Sequence, residues 1–321
     1  IKDALLVDKL NLFSDMVVFS SYAMQVIMSF LMLAMIFMMV PRASVSAKRI
    51  NEVINTPDVI KDGKSTDGSL VGTVEFKNVS FKYPDAEEYL LEDITFTANK
   101  GETVAIIGST GSGKSSLINL VPRFYEATKG SVLVDGVDVR DYKLESLNEK
   151  IGYVSQKAVL FRGTIKSNIL YGSNDKNISD EKINEALEVS QASEFVQKLD
   201  DGINAMVSQG GTNYSGGQKQ RLSIARAIAK DPEIYIFDDS FSALDYKTDA
   251  KLRHDLRAYA KDATMLIVAQ RIGTILNADK IIVLESGKCV GMGTHKELLE
   301  NCDVYKQIAL SQISEEELKN A

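Results

Sequence analysis

The chain has 321 residues, 45% of them hydrophobic and 25% charged, which is ordinary globular composition. Its net charge of -7 argues against a nucleic-acid partner held by bulk electrostatics. The two cysteines, Cys289 and Cys302, lack metal-ligand spacing and fit a reduced, cytosol-facing domain.

Met16 to Val40 carries no charge. At 1.5 Å per residue such a helix spans roughly 37 Å, enough to cross a bilayer with some tilt, so membrane lipid is an expected partner. A buried core helix is the alternative. A signal peptide is disfavoured, because Asp3, Asp8 and Asp15 precede the run and no small-residue cleavage site follows. Asp15 lies before the span, whereas Arg42, Lys48 and Arg49 lie after it, which predicts a cytoplasmic C-terminal side. One span cannot enclose a pathway, so the expectation is the C-terminal part of a longer integral membrane protein, with the plasma membrane as its location.

Arg42 to Ile54 reads as a polar continuation of the helix that stops before Thr56-Pro57. The membrane-domain part is thus residues 1–54. Asp58 to Gly68 is rich in Lys, Asp, Gly and Ser, and 55–70 is expected to be an exposed linker. A globular domain is expected over 71–312, followed by a tail at 313–321. Val74 to Val79 alternates like a half-buried strand. Thr103–Ile107, Glu233–Phe237, Thr264–Val268 and Lys280–Leu284 are short apolar runs separated by helical patterns. Such runs predict an α/β domain with a mostly parallel sheet covered on both faces. Between Gly163 and Gln209 the marks are Ile183, Leu187, Phe195, Val196 and Leu199, and the expectation is a helical insertion.

The run Gly108-Ser109-Thr110-Gly111-Ser112-Gly113-Lys114-Ser115-Ser116 follows one of these strands and opens a helix. This is the grammar of a phosphate-binding loop. Backbone N–H groups would face the phosphates, Lys114 would reach the β- and γ-phosphates, and the Ser115 hydroxyl would ligate Mg²⁺. A tight turn with a surface lysine is the bland alternative. Asp238 ends the strand Ile234–Phe237 and is a candidate for the Mg²⁺ shell, against a solvated or helix-capping aspartate. Ser215-Gly216-Gly217-Gln218 starts a helix marked by Leu222, Ala225 and Ile228, with Ser215 as a good N-cap. It would be a second anion site, or equally a plain glycine turn. One chain does not easily close two such sites on one γ-phosphate, so the pair implies a head-to-tail dimer with nucleotide at the seam.

The phosphate loop, Ser215-Gly216-Gly217-Gln218, Asp238 and Ser242-Ala243-Leu244-Asp245 stand in the order of an ATP-binding-cassette (ABC) ATPase, which residues 71–312 resemble. The resemblance implies a P-loop NTPase fold with an N-terminal antiparallel β part. It implies ATP and Mg²⁺ as ligands and a second half-transporter as partner. Leu160 to Gly172 and Ala43 to Ile50 resemble the exporter subgroup, so a transported substrate is implied as well. Carried over by position, Tyr83 stacks on adenine, Gln156 touches Mg²⁺ and the water, and Asp245 is a dimer contact.

Two positions depart from the family pattern. Asp239 stands where glutamate is usual, and Gln270 where histidine is usual. A carboxylate one methylene short sits roughly 1 to 1.5 Å back from the water, a misplacement that can cost on the order of 100-fold. Glutamine can hydrogen-bond a γ-phosphate but cannot carry a proton as imidazole can. The only histidines, His254 and His295, are read as solvated. Gln209-Gly210-Gly211-Thr212 also departs from the usual acidic stretch. The combination resembles the degenerate half of a heterodimeric ABC exporter that binds ATP and hydrolyses it slowly. A non-transporting nucleotide-gated regulator and a homodimeric exporter are the competing readings.

Overall fold

The computed structural model describes residues 2–57, 59–173 and 178–312. The expected tail at 313–321, Asp58 of the expected linker and residues 174–177 of the expected insertion lie outside them. The chain divides into two compact units between Val59 and Ile60.

The first unit is one helix, α1 (Lys2–Ile54), with Pro41 inside it. Its Leu6–Ile54 stretch reaches a mean hydropathy of 2.3 and is long and apolar enough to cross a membrane. Phe19, Phe30 and Phe37 all stand exposed on it. A helix apolar all round needs lipid or partner helices against it, and helices in such surroundings tolerate a proline. It stops at Ile54, where the coming Thr56-Pro57 disfavours further helix.

The second unit begins with a segment stitched to the domain rather than a loose linker. Gly63 N–H donates to the Tyr142 carbonyl at 3.0 Å, and Lys64 and Ser65 N–H donate to the Asp141 carbonyl. Asp62 accepts from Leu144 N–H, and Lys61 offers its carbonyl to Arg123. Polar composition marked the segment as exposed, but its backbone groups find partners on the domain surface.

Strands β1 (Val74–Phe81), β2 (Leu91–Ala98), β4 (Lys129–Val134) and β5 (Val137–Asp138) form an antiparallel sheet in the order β2-β1-β4-β5. Between β2 and β4 the chain forms β3 (Thr103–Gly108) and the short helix α2 (Lys114–Ile118). Then come α3 (Leu144–Lys150), β6 (Ile151–Val154), β7 (Gly163–Thr164), α4 (Ile165–Ile169), α5 (Asp180–Val189), α6 (Ser193–Val196) and β8 (Met206–Val207). The chain continues through α7 (Gly216–Lys230), β9 (Ile234–Asp238), α8 (Tyr246–Tyr259), β10 (Thr264–Val268), α9 (Ile272–Ile275), β11 (Lys280–Glu285), β12 (Lys288–Gly293), α10 (His295–Asn301) and α11 (Asp303–Leu310).

The central sheet has the order β12-β11-β3-β10-β9-β6, parallel except for β12. Both of its faces are dry, so its strands read as continuous apolar runs. Alternate residues feed two cores. Ala105, Ile107, Tyr235, Phe237 and Ile267 face the helices of one; Val104, Ile106, Ile234, Ile236 and Leu266 face the antiparallel sheet of the other. The expected insertion is helical, with Ile183, Leu187 and Val196 buried, but the two-residue strands β7 and β8 pair antiparallel and close its base.

Candidate nucleotide-binding site

Sheet order assembles the site. Strands β3, β10, β9 and β6 are consecutive neighbours running in the same direction. The residues just past their carboxyl ends therefore lie side by side: the glycine loop after β3, Gln270 after β10, Asp239 after β9 and Gln156 after β6. The carboxyl edge of a parallel sheet is where ligands of such folds bind.

The glycine loop is shaped by close approaches. A Cβ on Gly108 would fall 2.1 Å from the Leu284 carbonyl oxygen. Gly113 caps α2 at φ 94°, a left-handed conformation that costs glycine nothing. Lys114 is buried and folds back over its own loop: Nζ donates to the carbonyls of Gly108 at 2.9 Å and Ser109 at 2.7 Å. Burial depresses its pKa, opposed by the Asp239 and Asp238 carboxylates.

Ser115 Oγ donates to Asp238 Oδ1 at 2.7 Å. Tyr153 OH donates to Asn119 Oδ1 at 2.9 Å and reaches Asp238 Oδ2 at 3.5 Å. Burial raises the Asp238 pKa; the bonds from Ser115 and Tyr153 oppose this, and the neighbouring Asp239 charge adds to it. Asp239 is equally buried and holds a left-handed φ of 47° that few side chains adopt. Its Oδ2 accepts from both Gln270 Nε2 at 2.7 Å and Gln156 Nε2 at 3.1 Å. Two amides from neighbouring strand ends thus clamp one carboxylate oxygen.

A cavity of about 320 Å³ opens here, lined by Thr110, Gly111 and Gly113 to Ser116 of the loop together with Gln156, Asp239 and Gln270. Tyr83 is not in its lining, but its OH shares a 2.9 Å hydrogen bond with Ser116 Oγ. Phe81 and Tyr125 hold its ring edge-on at centroid distances of 5.0 and 5.1 Å. Ser215, Gly216, Gly217 and Gln218 also lie outside the lining. They form a capping box in which Ser215 Oγ accepts from Gln218 N–H, and Gln218 Oε1 accepts from Ser215 N–H. Asp245 likewise caps α8 by accepting from Thr248 N–H at 3.0 Å.

His254 is exposed, as expected, but His295 is not. It is buried in the α10–α11 corner, with Nδ1 2.7 Å from Tyr305 OH. Its position at the start of an amphipathic helix, not its polarity, decides its burial. Sequence reasoning also missed Tyr153 and Asn119, which support Asp238. The register Tyr153↔Ile236 places Tyr153 two residues from Asp238 across the sheet, and strand pairing was the signal that would have found it.

A glycine loop at the carboxyl edge of this sheet defines a P-loop ATPase, and the helical insertion ahead of Ser215 narrows it to the ABC type. Residues 91–242 match the family model for the ABC transporter; the unit from Ile60 onward is an ATP-binding domain of that family. An ABC transporter ATP-binding protein of Mycobacterium tuberculosis is 47% identical over 303 residues, covering 93% of this chain and 52% of that protein. The ATP-dependent lipid A-core flippase of Haemophilus influenzae is 43% identical over 243 residues, 76% of this chain and 41% of the flippase. Among solved structures, a bacterial Atm1-family ABC exporter with ATP bound superposes with a TM-score of 0.80 at 32% identity, over 88% of this chain and 50% of that one. The chain spans about half the length of the curated relatives it matches.

Proposed function

We propose that this chain is the ATP-binding subunit of an ABC exporter, and that its own nucleotide site binds Mg-ATP but hydrolyses it slowly. In this reading residues 1–54 end a membrane domain in the plasma membrane, 55–70 join it to the ABC domain at 71–312 in the cytoplasm, and 313–321 are a tail. The similarity to a flippase and an exporter, together with the apolar helix α1, supports export as the activity.

Lys114 leaves the neutral Gly108 and Ser109 carbonyls for the β- and γ-phosphates, which offer its ammonium charged acceptors. The Ser115 hydroxyl, Asp238 and Gln156 are hard oxygen donors suited to Mg²⁺, and Ser115 and Asp238 already lie within 2.7 Å of each other. At that position Mg²⁺ would supply positive charge against the phosphate oxygens. Tyr83 stacks on adenine. Hydrolysis adds water to the γ-phosphorus and breaks its bond to the bridging oxygen, and the water's proton must be taken up.

That proton is where this site is weak, and one observation carries the reading: Asp239 Oδ2 is hydrogen-bonded by the amides of both Gln156 and Gln270. The carboxylate is short, and neither amide can accept and relay a proton. The chain therefore works in a heterodimer, head to tail, where Ser215, Gly216, Gly217 and Gln218 close the partner's competent site. Contacts to the transported substrate would come mostly from membrane helices other than α1.

The test is ATP turnover of the purified protein before and after the paired change Asp239→Glu with Gln270→His. Turnover at this site should rise by an order of magnitude or more. Unmodified turnover already in the ordinary enzyme range of about 1–10 per second would sink the slow-site reading. Transport stimulated by substrate distinguishes an exporter from a nucleotide-gated regulator.

A further inference from the structure

The loop that carries Gln270 is fastened from the far end of the domain. Helix α9 starts at Ile272 with Arg271 as its N-cap, and that residue makes no side-chain cap bond. A helix start leaves N–H groups that need partners. The Ile272 N–H finds one 40 residues away: it donates to Gln312 Oε1 at 2.9 Å. The other end of the same amide, Gln312 Nε2, donates to the Gln270 carbonyl at 2.8 Å. One side-chain amide therefore brackets residues 270 and 272 as a neighbouring strand would.

The anchor behind Gln312 is firm. Gln312 follows α11, whose Tyr305 and Ala309 are fully buried, and its own N–H donates to the Ala309 carbonyl at 3.0 Å. On the other side the backbone fixed at Gln270 sends its side chain to Asp239 Oδ2 at 2.7 Å. A continuous line of hydrogen bonds thus runs from α11 through Gln312 and Gln270 to the carboxylate in the nucleotide cavity.

We propose that Gln312 is a positioning residue for this ATPase site, holding the Gln270 loop so that the Gln270 amide stays on Asp239. This deepens the nucleotide-hydrolysis reading above and rests on it. Gln312 itself touches neither the cavity nor Asp239; it acts on backbone. Its loss should leave ATP binding through the glycine loop intact and slow the chemical step.

The experiment uses the intact protein in lipid nanodiscs, with γ-labelled ATP followed over hours so that a slow site is still measured. Gln312→Met keeps the volume and removes both hydrogen bonds; because Gln312 is exposed, folding is unaffected. Exchange of the Ile272 amide should speed up by roughly two- to tenfold, the equivalent of one net hydrogen bond. Turnover number should fall roughly three- to tenfold with KM for ATP within about twofold. Gln312→Glu keeps the acceptor for Ile272 N–H but loses the donor to Gln270, and should fall between wild type and Gln312→Met. In a Gln270→Ala background Gln312→Met should do nothing further, because the two residues act in series. An equal fold loss in both backgrounds, or unchanged turnover, overturns the proposal whatever the exchange rates show. The wild-type rate separately judges the slow-site reading, since the coupling is read from ratios.

Discussion

The phosphate loop and the Ser215 turn are both glycine-bearing helix starts, yet the structure treats them in opposite ways. Around the phosphate loop every functional side chain is turned inward and partnered within the chain: Lys114 on loop carbonyls, Ser115 on Asp238, Gln156 and Gln270 on Asp239. At the other helix start Ser215 and Gly216 are exposed, and a Cβ placed on Gly216 would meet nothing within 4 Å. The Ser215 hydroxyl is spent on its own capping box. The first site is built to receive a ligand using groups of one chain. The second has an open, positively polarised helix end that lies outside the lining of that cavity, and such an end suits an anion brought by another molecule.

The largest expected effect tests the closed side. Lys114→Ala removes the buried cation that faces Asp238 and Asp239 and should weaken Mg-ATP binding by roughly 30-fold or more, read by titration with a fluorescent ATP analogue. Retained affinity would mean that the loop's N–H groups alone hold the phosphates.

The next effect tests the open side. A Cβ at Gly216 meets nothing within 4 Å, and an acidic residue in the first turn of a helix is favourable, so α7 should persist in Gly216→Glu. Its charge would repel a γ-phosphate brought by a partner. Turnover of the reconstituted pair should fall roughly 100-fold, with ATP affinity at this chain's own loop unchanged. Asp239→Asn in the same pair should cost less than about twofold if, as proposed, hydrolysis at this site is already slow. Equal losses from the two changes would show that this chain's own site drives the cycle, and the asymmetry would be gone.

What was legible in the sequence follows the same division. The central strands were readable because burial on both faces makes them unbroken apolar runs, and β3, β9, β10 and β11 fall where Thr103–Ile107, Glu233–Phe237, Thr264–Val268 and Lys280–Leu284 predicted. The loop from Gly108 to Ser116 was readable because its chemistry is local. The clamp on Asp239 was half readable: residue types gave the missing glutamate and histidine, but only the sheet order β10-β9-β6 brings Gln270 and Gln156 to one oxygen. Segment 60–68 is mostly exposed, as its polar composition implies, but composition says nothing about where its backbone groups find partners. Gln312 left no local signal at all; its partners are 40 and 42 residues away.

The smallest effect concerns the support that the closed side alone possesses, the α10–α11 corner from which Gln312 extends. His295 is buried there with Nδ1 on Tyr305 OH, its Nε2 has no partner among the described residues, and burial, with Lys296 nearby, lowers its pKa. Its folded pKa therefore lies below its unfolded value of about 6.5. Between those two values the unfolded chain binds the extra proton, so stability rises with pH and falls as pH drops through that window. Thermal melting of the intact protein should show a midpoint that declines by a few degrees at most from pH 7 to pH 5. His295→Gln, which can still hydrogen-bond Tyr305 OH but does not titrate, should flatten that decline. Protection of the Ile272 amide, after correction for the intrinsic pH dependence of exchange, should follow the same pH course, since Gln312 follows α11 directly. A decline that persists in His295→Gln would assign it to other groups, and the corner would then be inert packing, not an adjustable support for the nucleotide site.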